Sequence, residues 1–269
     1  MPVSELNGVE LYWERSGSGP RLLFCNGSGL TLAGTELLRA PFADGFDLLA
    51  WDYRGFGQSP PVDGSYAMAD VARDMTALLE LAGWDTCRLI GVSYGGMVAQ
   101  EFAVTSPERV ERLALNCTSA GGAGGSSYPL QKLLGLPEKE RVATGLKVVD
   151  SRWDERWLDA HPADRALAEA LAGSMAGGSD MPSAEADARR AQMEARAGHD
   201  VWDRLDRISC PTLVAYGRHD GIAPKENSEA IASRIRGSEL RGYEGGHGFL
   251  LQDPAASSDV VEFLQAPTR

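Results

Sequence analysis

Short apolar runs alternate with helical patterns along most of this chain, and that alternation limits the fold more than any other feature. Apolar runs typical of strands lie at 9–14, 21–25, 46–51, 87–92, 112–117, 211–217 and 238–243. Helical patterns lie between several of them, at 68–82, 94–105 and 225–235. Strands that alternate with helices predict an α/β fold, with a mostly parallel sheet covered by helices on both faces.

The alternation stops over residues 119–207, which we call the insertion. It opens with the glycine-rich stretch SAGGAGGSSYP and continues with Ala-, Glu- and Arg-rich helical patterns that contain no convincing strand. A length of 269 residues suits one domain that carries an insertion, or two small domains. We therefore predict a core formed by 1–118 and 208–269, and a helical cap formed by 119–207.

Charge and cysteine content exclude several classes of function. The chain has 26 Lys and Arg against 38 Asp and Glu, a formal net charge of −12, which disfavours nucleic acid and anionic membranes as partners. The four cysteines form no CxxC pair and suit buried, reduced thiols. The start MPVSELNGVE lacks a signal-peptide pattern, and no apolar run approaches the roughly 20 residues of a membrane span. We expect a cytoplasmic protein and leave a homodimer open.

The stretch GVSYGG, residues 91–96, places a Gly-x-Ser-x-Gly motif between a predicted strand and a predicted helix. A loose turn is one interpretation of it. In the other, the sharp turn strains the backbone of Ser93 and exposes its hydroxyl at the carboxyl edge of the sheet. Gly91 and Gly95 then remove side chains that would clash in such a turn. We predict Ser93 as a nucleophile.

A serine hydroxyl is nearly inert at neutral pH and needs a base, usually a histidine. The chain has four histidines. His247 lies in the glycine-rich loop EGGHGF after the last strand, where a flexible loop can bring it over the sheet edge. We expect His161 and His199, both in the insertion, to be exposed to solvent, and we give His219 no catalytic role.

The base in turn needs an orienting acid. Asp220 follows the strand at 211–217, in VAYGRHDGIAP. The alternative position, at the end of the strand after the serine, supplies Asn116, which carries no charge. We predict a triad in the chain order Ser93, Asp220, His247. This is the order in which nucleophile, acid and base follow one another where the nucleophile lies in a Gly-x-Ser-x-Gly turn between strand and helix.

A developing oxyanion needs two backbone donors near the nucleophile. The amide of Tyr94 opens the helix that follows Ser93. The loop CNGSGL, residues 25–30, has only small residues near its centre, and we predict the amide of Ser28 as the second donor. Asn26 and Gly27 of the same loop are predicted to lie against the substrate.

Other polar and aromatic residues allow two interpretations each. Asp52 and Arg54 suit a substrate-binding pair, but we prefer a structural ion pair that braces the loops beneath the site. Trp153 and Trp157 are four residues apart on a predicted helix of the insertion. They are candidates for lining the substrate pocket, although packing within the insertion is the simpler interpretation. The same holds for Met175, Met181 and Met193.

Four landmarks in order resemble the α/β-hydrolase family of the Ser-Asp-His type with a helical cap. They are NGSG for the oxyanion loop, DYRGFGQS at 52–59, GVSYGGMVAQ for the nucleophile turn, and GRHDGIAP followed by GGHG for acid and base. Asn26 stands where most relatives have histidine. The chain resembles enol-lactonases of the 3-oxoadipate type in this asparagine-containing loop, in the GGMV start of the helix after Ser93 and in the GR-x-D acid loop.

The resemblance implies a serine hydrolase that cleaves a carboxylic ester or lactone without a metal or organic cofactor. Serine as the nucleophile disfavours haloalkane dehalogenases and epoxide hydrolases of this fold, because their alkyl-ester intermediate needs a carboxylate. Three alternatives stay open: a C–C bond hydrolase, a cofactor-free perhydrolase, and a ligand receptor that is not an enzyme. They would share the same fold and triad.

Overall fold

A computed structural model of the chain describes residues 3–176 and 183–267. The described residues form eight β-strands, and every apolar run that the sequence assigned to a strand corresponds to one of them. They are β1 (Val3–Leu6), β2 (Val9–Gly17), β3 (Arg21–Cys25), β4 (Asp47–Trp51), β5 (Cys87–Val92), β6 (Val110–Asn116), β7 (Thr212–Gly217) and β8 (Glu239–Tyr243). Strand β1 was not predicted, because four residues with a single buried side chain give almost no pattern.

The strands form one sheet in the order β1-β2-β4-β3-β5-β6-β7-β8. The two N-terminal strands are antiparallel to their neighbours, and the pairs from β4 to β8 are parallel. Parallel strands present all their carboxyl ends at one edge, where the loops after β3, β5, β7 and β8 meet. This topology confirms the predicted α/β fold and brings the candidate residues to one rim.

Helices cover both faces of the sheet, as the alternation predicted. The described α-helices are α1 (Glu36–Ala43), α2 (Met68–Ala82), α3 (Tyr94–Thr105), α4 (Gln131–Leu134), α5 (Glu138–Val149), α6 (Glu155–Ala160), α7 (Pro162–Ala176), α8 (Ser183–Ala197), α9 (Lys225–Arg234), α10 (Phe249–Gln252) and α11 (Pro254–Gln265). Helix α1 was missed, because Pro41 inside it is a helix-breaking signal. No helix within the described ranges is both long and apolar enough to cross a membrane.

Alternate residues of each central strand face opposite layers. In β3, Leu23 and Cys25 join a core with α2, α3 and α9, whereas Leu22 and Phe24 join a core with α1, α10 and α11. All four side chains are fully buried. Complete burial of an aliphatic or aromatic side chain stabilises the fold by about 1.5–3 kcal/mol, so these two layers hold the sheet rigid beneath the loops.

Helices α4 to α8 lie between β6 and β7, and the described part of 119–207 contains no strand. A third apolar cluster joins these helices to the loop after β7: Val149, Trp153, Leu158, Ala168 and Ile222. The insertion therefore packs against a core loop that carries a candidate catalytic residue. Its treatment as a separate cap, with bounds at 119 and 207, stays a prediction.

Candidate active site

Ser93 lies at the junction of β5 and α3 with φ 56° and ψ −116°. A positive φ at a residue with a side chain costs about 1–3 kcal/mol and persists only where the surroundings enforce it. Here they do so through close approach of the main chain. A Cβ on Gly91 would overlap the carbonyl of Gly95, and a Cβ on Gly95 would overlap the carbonyl of Cys25. The strained turn therefore requires glycine at both flanking positions.

The structure brings Ser93, His247 and Asp220 together. His247 lies between β8 and α10, 154 residues from Ser93, and its Nε2 is 2.9 Å from Ser93 Oγ. Its Nδ1 is 2.8 Å from Oδ2 of Asp220, which lies between β7 and α9. With an ionised Asp220, Nδ1 carries the proton and donates it, so that Nε2 is free to accept the Ser93 hydroxyl.

Asp220 is held in one orientation by the main chain. Its side chain is fully buried, and Oδ1 accepts hydrogen bonds from the amides of Ile222 at 2.7 Å and Ala223 at 2.9 Å. Oδ2 is thereby directed at His247. Asn116, the alternative position for the acid, instead donates from Nδ2 to the carbonyl of Gly91 at 3.2 Å.

The two backbone amides predicted as oxyanion donors make no hydrogen bond within the described residues. Tyr94 is the first residue of α3, so its amide has no acceptor within the helix. In the described part of the chain, neither this amide nor that of Ser28 donates a hydrogen bond. The loop of Ser28 also runs close to the nucleophile, because a Cβ added to Gly27 would lie 3.8 Å from Ser93 Cβ. Their role in holding an oxyanion stays a prediction.

Asn26 is almost fully buried beside this loop. Among the residues that the structure describes, none hydrogen-bonds to its side-chain oxygen or nitrogen. Its side chain therefore does not anchor the loop, and its predicted place against the substrate stays a prediction. The loop is held instead by main-chain groups: the Asn26 carbonyl accepts from Tyr53 Oη at 3.0 Å, and the Gly29 amide donates to Gln192 Oε1 of the insertion at 2.7 Å.

The predicted ion pair between Asp52 and Arg54 is wrong. Arg54 makes a bidentate pair with Asp74 of α2, with both N–O distances at 2.6 Å. Asp52 accepts instead from the amides of Leu32 at 2.7 Å and Gln58 at 2.9 Å. Burial is the largest cause that raises the pKa of Asp52, so its backbone donors partly offset an unfavourable environment. Both residues brace loops, but through different partners.

The expectation that His199 is exposed is also wrong. It follows α8, is almost fully buried, and packs against the main chain at Gly121. Burial lowers the pKa of its imidazole from 6.5 to about 4. The sequence AGHD resembles an exposed turn, and nothing in it indicates that the residue is buried. His219 contacts the loop of His247 through its main chain, because its amide donates to the carbonyl of Gly245 at 2.9 Å.

The two tryptophans do not share a helix. Trp153 precedes α6 and is buried in the third apolar cluster, whereas Trp157 lies on α6 and stacks on the exposed His161 at 3.8 Å between ring centroids. These contacts are the packing that the simpler interpretation expected, and a role in substrate binding stays a prediction. Met175 packs on the same cluster, Met193 is half-buried, and Met181 lies outside the described residues.

The insertion is hydrogen-bonded to both catalytic loops, which the sequence did not reveal. The carbonyl of Val149, the last residue of α5, accepts from the His247 amide at 2.7 Å. The carbonyl of Val148 accepts from the Gly221 amide, next to Asp220, at 2.9 Å. One end of α5 therefore fixes the loop of the base and the loop of the acid at once.

Gln252 adds a side-chain connection at the same place. Its Oε1 accepts from the Gly246 amide at 2.9 Å, and its Nε2 donates to Asp150 Oδ2 at 2.9 Å. Asp150 is fully buried and paired with Arg152 at 2.6 Å. Gln252 thus links the base loop to a buried ion pair of the insertion. A lone glutamine on a short helix carries no sequence signal for such a role.

One group of three possible metal ligands lies at this site, and it is the one such group in the described ranges. Its atoms lie within 4.8 Å of one another: Cys117 Sγ, an oxygen of Asp220 and a ring nitrogen of His247. Burial, and next the nearby Asp220, raise the pKa of the Cys117 thiol well above its usual range. A metal would need that thiol deprotonated and would displace the hydrogen bond between the other two residues. The group fits proton transfer better than metal binding.

Comparison with known proteins shows which family the chain is similar to. A family model described as "alpha/beta hydrolase fold" matches residues 20–254. The 3-oxoadipate enol-lactonase 2 of Acinetobacter baylyi is 27% identical over 244 residues, covering 90% of this chain and 87% of that protein. A Variovorax paradoxus protein, provisionally named carbamate hydrolase RutD, is 28% identical over 269 residues, covering 95% and 96%. A crystal structure of a hydrolase from Pseudomonas aeruginosa superposes with TM-score 0.77 at 27% identity, covering 97% and 96%.

Proposed function

Because the chain belongs to the alpha/beta hydrolase fold family, we propose that it hydrolyses a carboxylic ester or lactone through an acyl-enzyme on Ser93. One observation carries this proposal: hydrogen-bond distances of 2.8 and 2.9 Å run without a break from Asp220 through His247 to Ser93 Oγ. A relative named as an enol-lactonase supports the class of substrate.

In the first half of the reaction, Ser93 Oγ attacks the carbonyl carbon of the substrate while His247 Nε2 takes the hydroxyl proton. The imidazolium that results is stabilised by Asp220, whose second oxygen is already held by two backbone amides. The C–O bond of the ester or lactone then breaks. His247 returns the proton to the leaving alkoxide, and the acyl group stays on Ser93.

The carbonyl oxygen becomes negatively charged in each tetrahedral intermediate. In this proposal the amides of Ser28 and Tyr94 donate to it, and the first turn of α3 adds a favourable field. Loss of one such donor typically costs about 3–4 kcal/mol of transition-state stabilisation. In the second half, His247 removes a proton from water, whose oxygen attacks the acyl carbon. The bond between the acyl carbon and Ser93 Oγ then breaks, His247 returns the proton to Ser93 Oγ, and the acid is released.

The proposal includes a small-molecule ester or lactone as the only required partner and no metal or organic cofactor. It also keeps the cytoplasm as the location, which the four free cysteines support, since Cys25, Cys87 and Cys117 are buried as reduced thiols. The strongly negative net charge makes nucleic acid and anionic membranes poor partners.

A substrate panel tests the proposal. Aryl esters, short lactones, an enol-lactone, an aryl carbamate and a dienoate diketone are each incubated with the wild type and with Ser93→Ala. We expect turnover of esters or lactones and a loss of about 10⁴-fold or more in kcat for the variant. Activity of Ser93→Ala within tenfold of the wild type, or turnover of the diketone alone, would contradict it.

A further inference from the structure

Helix α8 of the insertion lies across two loops of the core. Its buried side chains follow the spacing of one helix face: Ala188, Ala191, Gln192, Ala195 and Arg196. Ala188 packs on the loop after β4, because a Cβ added to Gly55 would lie 2.7 Å from Ala188 Cβ. This close approach fixes the distance between the helix and the core. Gln192, one turn further along the same face, is thereby directed at the loop after β3.

Gln192 is fully buried, and the two polar atoms of its side chain differ in their surroundings. Oε1 accepts from the Gly29 amide at 2.7 Å, whereas Nε2 has no hydrogen-bond partner within 3–176 and 183–267. Burial of an amide nitrogen without a partner is unfavourable, and a methionine would pack here without that cost. The packing of α8 therefore does not explain a glutamine. What glutamine adds at this position is the bond to Gly29.

The core fixes both ends of the loop after β3, residues 26–32. At one end the Asn26 carbonyl accepts from Tyr53 Oη at 3.0 Å, and at the other the Leu32 amide donates to Asp52 Oδ1 at 2.7 Å. Both partners belong to the loop after β4, the same loop on which α8 packs. The middle of the loop after β3 needs a different support.

Residues 27–30 form a turn that its own main chain closes only weakly. The hydrogen bond across the turn is 3.4 Å long, which exceeds the usual N–H···O distance. Gly29, the third residue of the turn, has a φ of 69°. Within the described residues, its bond to Gln192 is the one hydrogen bond that joins this turn to a group outside it. Gln192 thus fixes the peptide plane between Ser28 and Gly29.

The peptide that Gln192 holds adjoins the predicted oxyanion donor. The Ser28 amide belongs to the preceding peptide, and the two planes share the Ser28 Cα, so holding one limits the rotation of the other. The turn also lies against the nucleophile, since a Cβ added to Gly27 would be 3.8 Å from Ser93 Cβ. An oxyanion donor must lie within about 2.7–3.1 Å of the charged oxygen, so even a small displacement of this turn would weaken the contact.

We propose that Gln192 is a positioning residue, which holds the Ser28 amide toward the oxyanion so that a helix of the insertion completes the reaction site. This inference rests on the proposed function. The insertion then supports every part of the catalytic machinery that lies on a core loop. The end of α5 fixes the loops of the acid and the base, and α8 fixes the loop of the oxyanion donor.

A double-mutant cycle tests the path from Gln192 to the oxyanion. The variants are Gln192→Met, Ser28→Pro and the two combined, measured on an ester that the wild type hydrolyses. Proline removes the amide hydrogen of residue 28 and is favoured at the second position of a turn, whereas methionine lacks the acceptor oxygen. Arg190→Met is the control, since Arg190 lies on the same helix, is exposed and pairs with Asp187. Thermal unfolding of each variant confirms that it is folded.

We expect Ser28→Pro to lower kcat by about 10²–10³-fold, the usual effect of one lost donor. Gln192→Met should lower kcat at least tenfold with KM within threefold, because the donor acts in the transition state. In the Ser28→Pro background the same substitution should change kcat by less than threefold. Arg190→Met should stay within twofold of the wild type.

Three results would overturn the proposal. The first is a loss of less than tenfold in kcat for Gln192→Met. The second is a loss from Gln192→Met that is equally large with and without the Ser28 amide, since the glutamine would then act by another path. The third is a kcat of Ser28→Pro within threefold of the wild type, because there would be no donor at Ser28 to position.

Hydrogen exchange of the Gly29 amide separates this inference from the hydrolase proposal. NMR follows it in the wild type, Gln192→Met and Gln192→Glu, because glutamate keeps an acceptor oxygen at the same place. Exchange should be at least tenfold faster in Gln192→Met and within threefold of the wild type in Gln192→Glu. If no ester is turned over, the hydrolase proposal fails, and faster exchange in Gln192→Met would still support Gln192 as the anchor of the loop. Equal exchange in all three proteins would overturn the anchor whatever the activity.

Discussion

The substitution Asp220→Asn isolates the role of charge at the acid position, because the surrounding main chain fixes how the new side chain sits. Oδ1 of Asp220 accepts from two buried amides, at 2.7 and 2.9 Å. An asparagine must place its oxygen there, since turning it over would leave two buried N–H groups unpaired, at about 1–3 kcal/mol each. Its NH₂ group must then face His247.

The expected loss of kcat follows from which nitrogen of the His247 imidazole carries the proton. Facing an NH₂ donor, Nδ1 of His247 has to accept, so the proton moves to Nε2, 2.9 Å from Ser93 Oγ. Nε2 then donates to the serine and cannot take its proton. Loss of the correct tautomer typically lowers kcat by about 10⁴-fold, which corresponds to about 5.5 kcal/mol of transition-state stabilisation.

The assay is steady-state hydrolysis of an ester that the wild type turns over, measured at neutral pH for wild type and Asp220→Asn. Asp154→Asn is the matched control, because Asp154 caps α6 by accepting from an amide, and asparagine caps equally well. The control should stay within twofold of the wild type. Retention of a tenth or more of wild-type kcat by Asp220→Asn would refute the reasoning about orientation and tautomer.

Three further results follow from the structure. His199 takes up its proton below pH 6.5 in the unfolded chain but only near pH 4 in the folded chain. The free energy of unfolding of the wild type should therefore decrease as the pH falls from 6.5 to 4, by up to about 3 kcal/mol more than that of His199→Leu. Urea titrations at several pH values measure this, and an equal fall in the two proteins would contradict it. Gly95→Ala should lower the free energy of unfolding in urea by about 1–3 kcal/mol, because the added methyl group meets the carbonyl of Cys25 at the end of β3. Gly135→Ala is the control: its methyl group has open space, so the free energy of unfolding should change by less than about 0.5 kcal/mol. Gln252→Leu should lower kcat about 10- to 100-fold with KM within twofold, since the base loop loses an anchor; a raised KM with unchanged kcat would contradict this.

The sheet and the candidate triad were predictable because their signals are local. Apolar runs are visible one strand at a time, and parallel topology then places every carboxyl end at one edge. The motif around Ser93 requires two glycines for steric reasons, and four histidines left few choices for a base. His247 and Asp220 could therefore be placed beside Ser93 without knowledge of the coordinates.

Contacts between residues that are far apart in the sequence could not be predicted, because the packing of distant segments decides which residues meet. Arg54 has one acid two residues before it and another on α2, and only the folded geometry selects Asp74. His199 lies in a segment with the composition of an exposed turn, yet it is almost fully buried and its carbonyl lies against Gly121. The anchoring of both catalytic loops by the end of α5 uses backbone carbonyls, which leave no trace in residue identity.

Covalent labelling of the nucleophile gives the most direct decision on the mechanism. The wild type is treated with a fluorophosphonate, its intact mass is measured, and the modified peptide is sequenced. We predict one adduct per chain, on Ser93, absent from Ser93→Ala and strongly slowed in His247→Ala. An adduct on a different serine, or full hydrolytic activity in a protein whose Ser93 is quantitatively labelled, would contradict the mechanism.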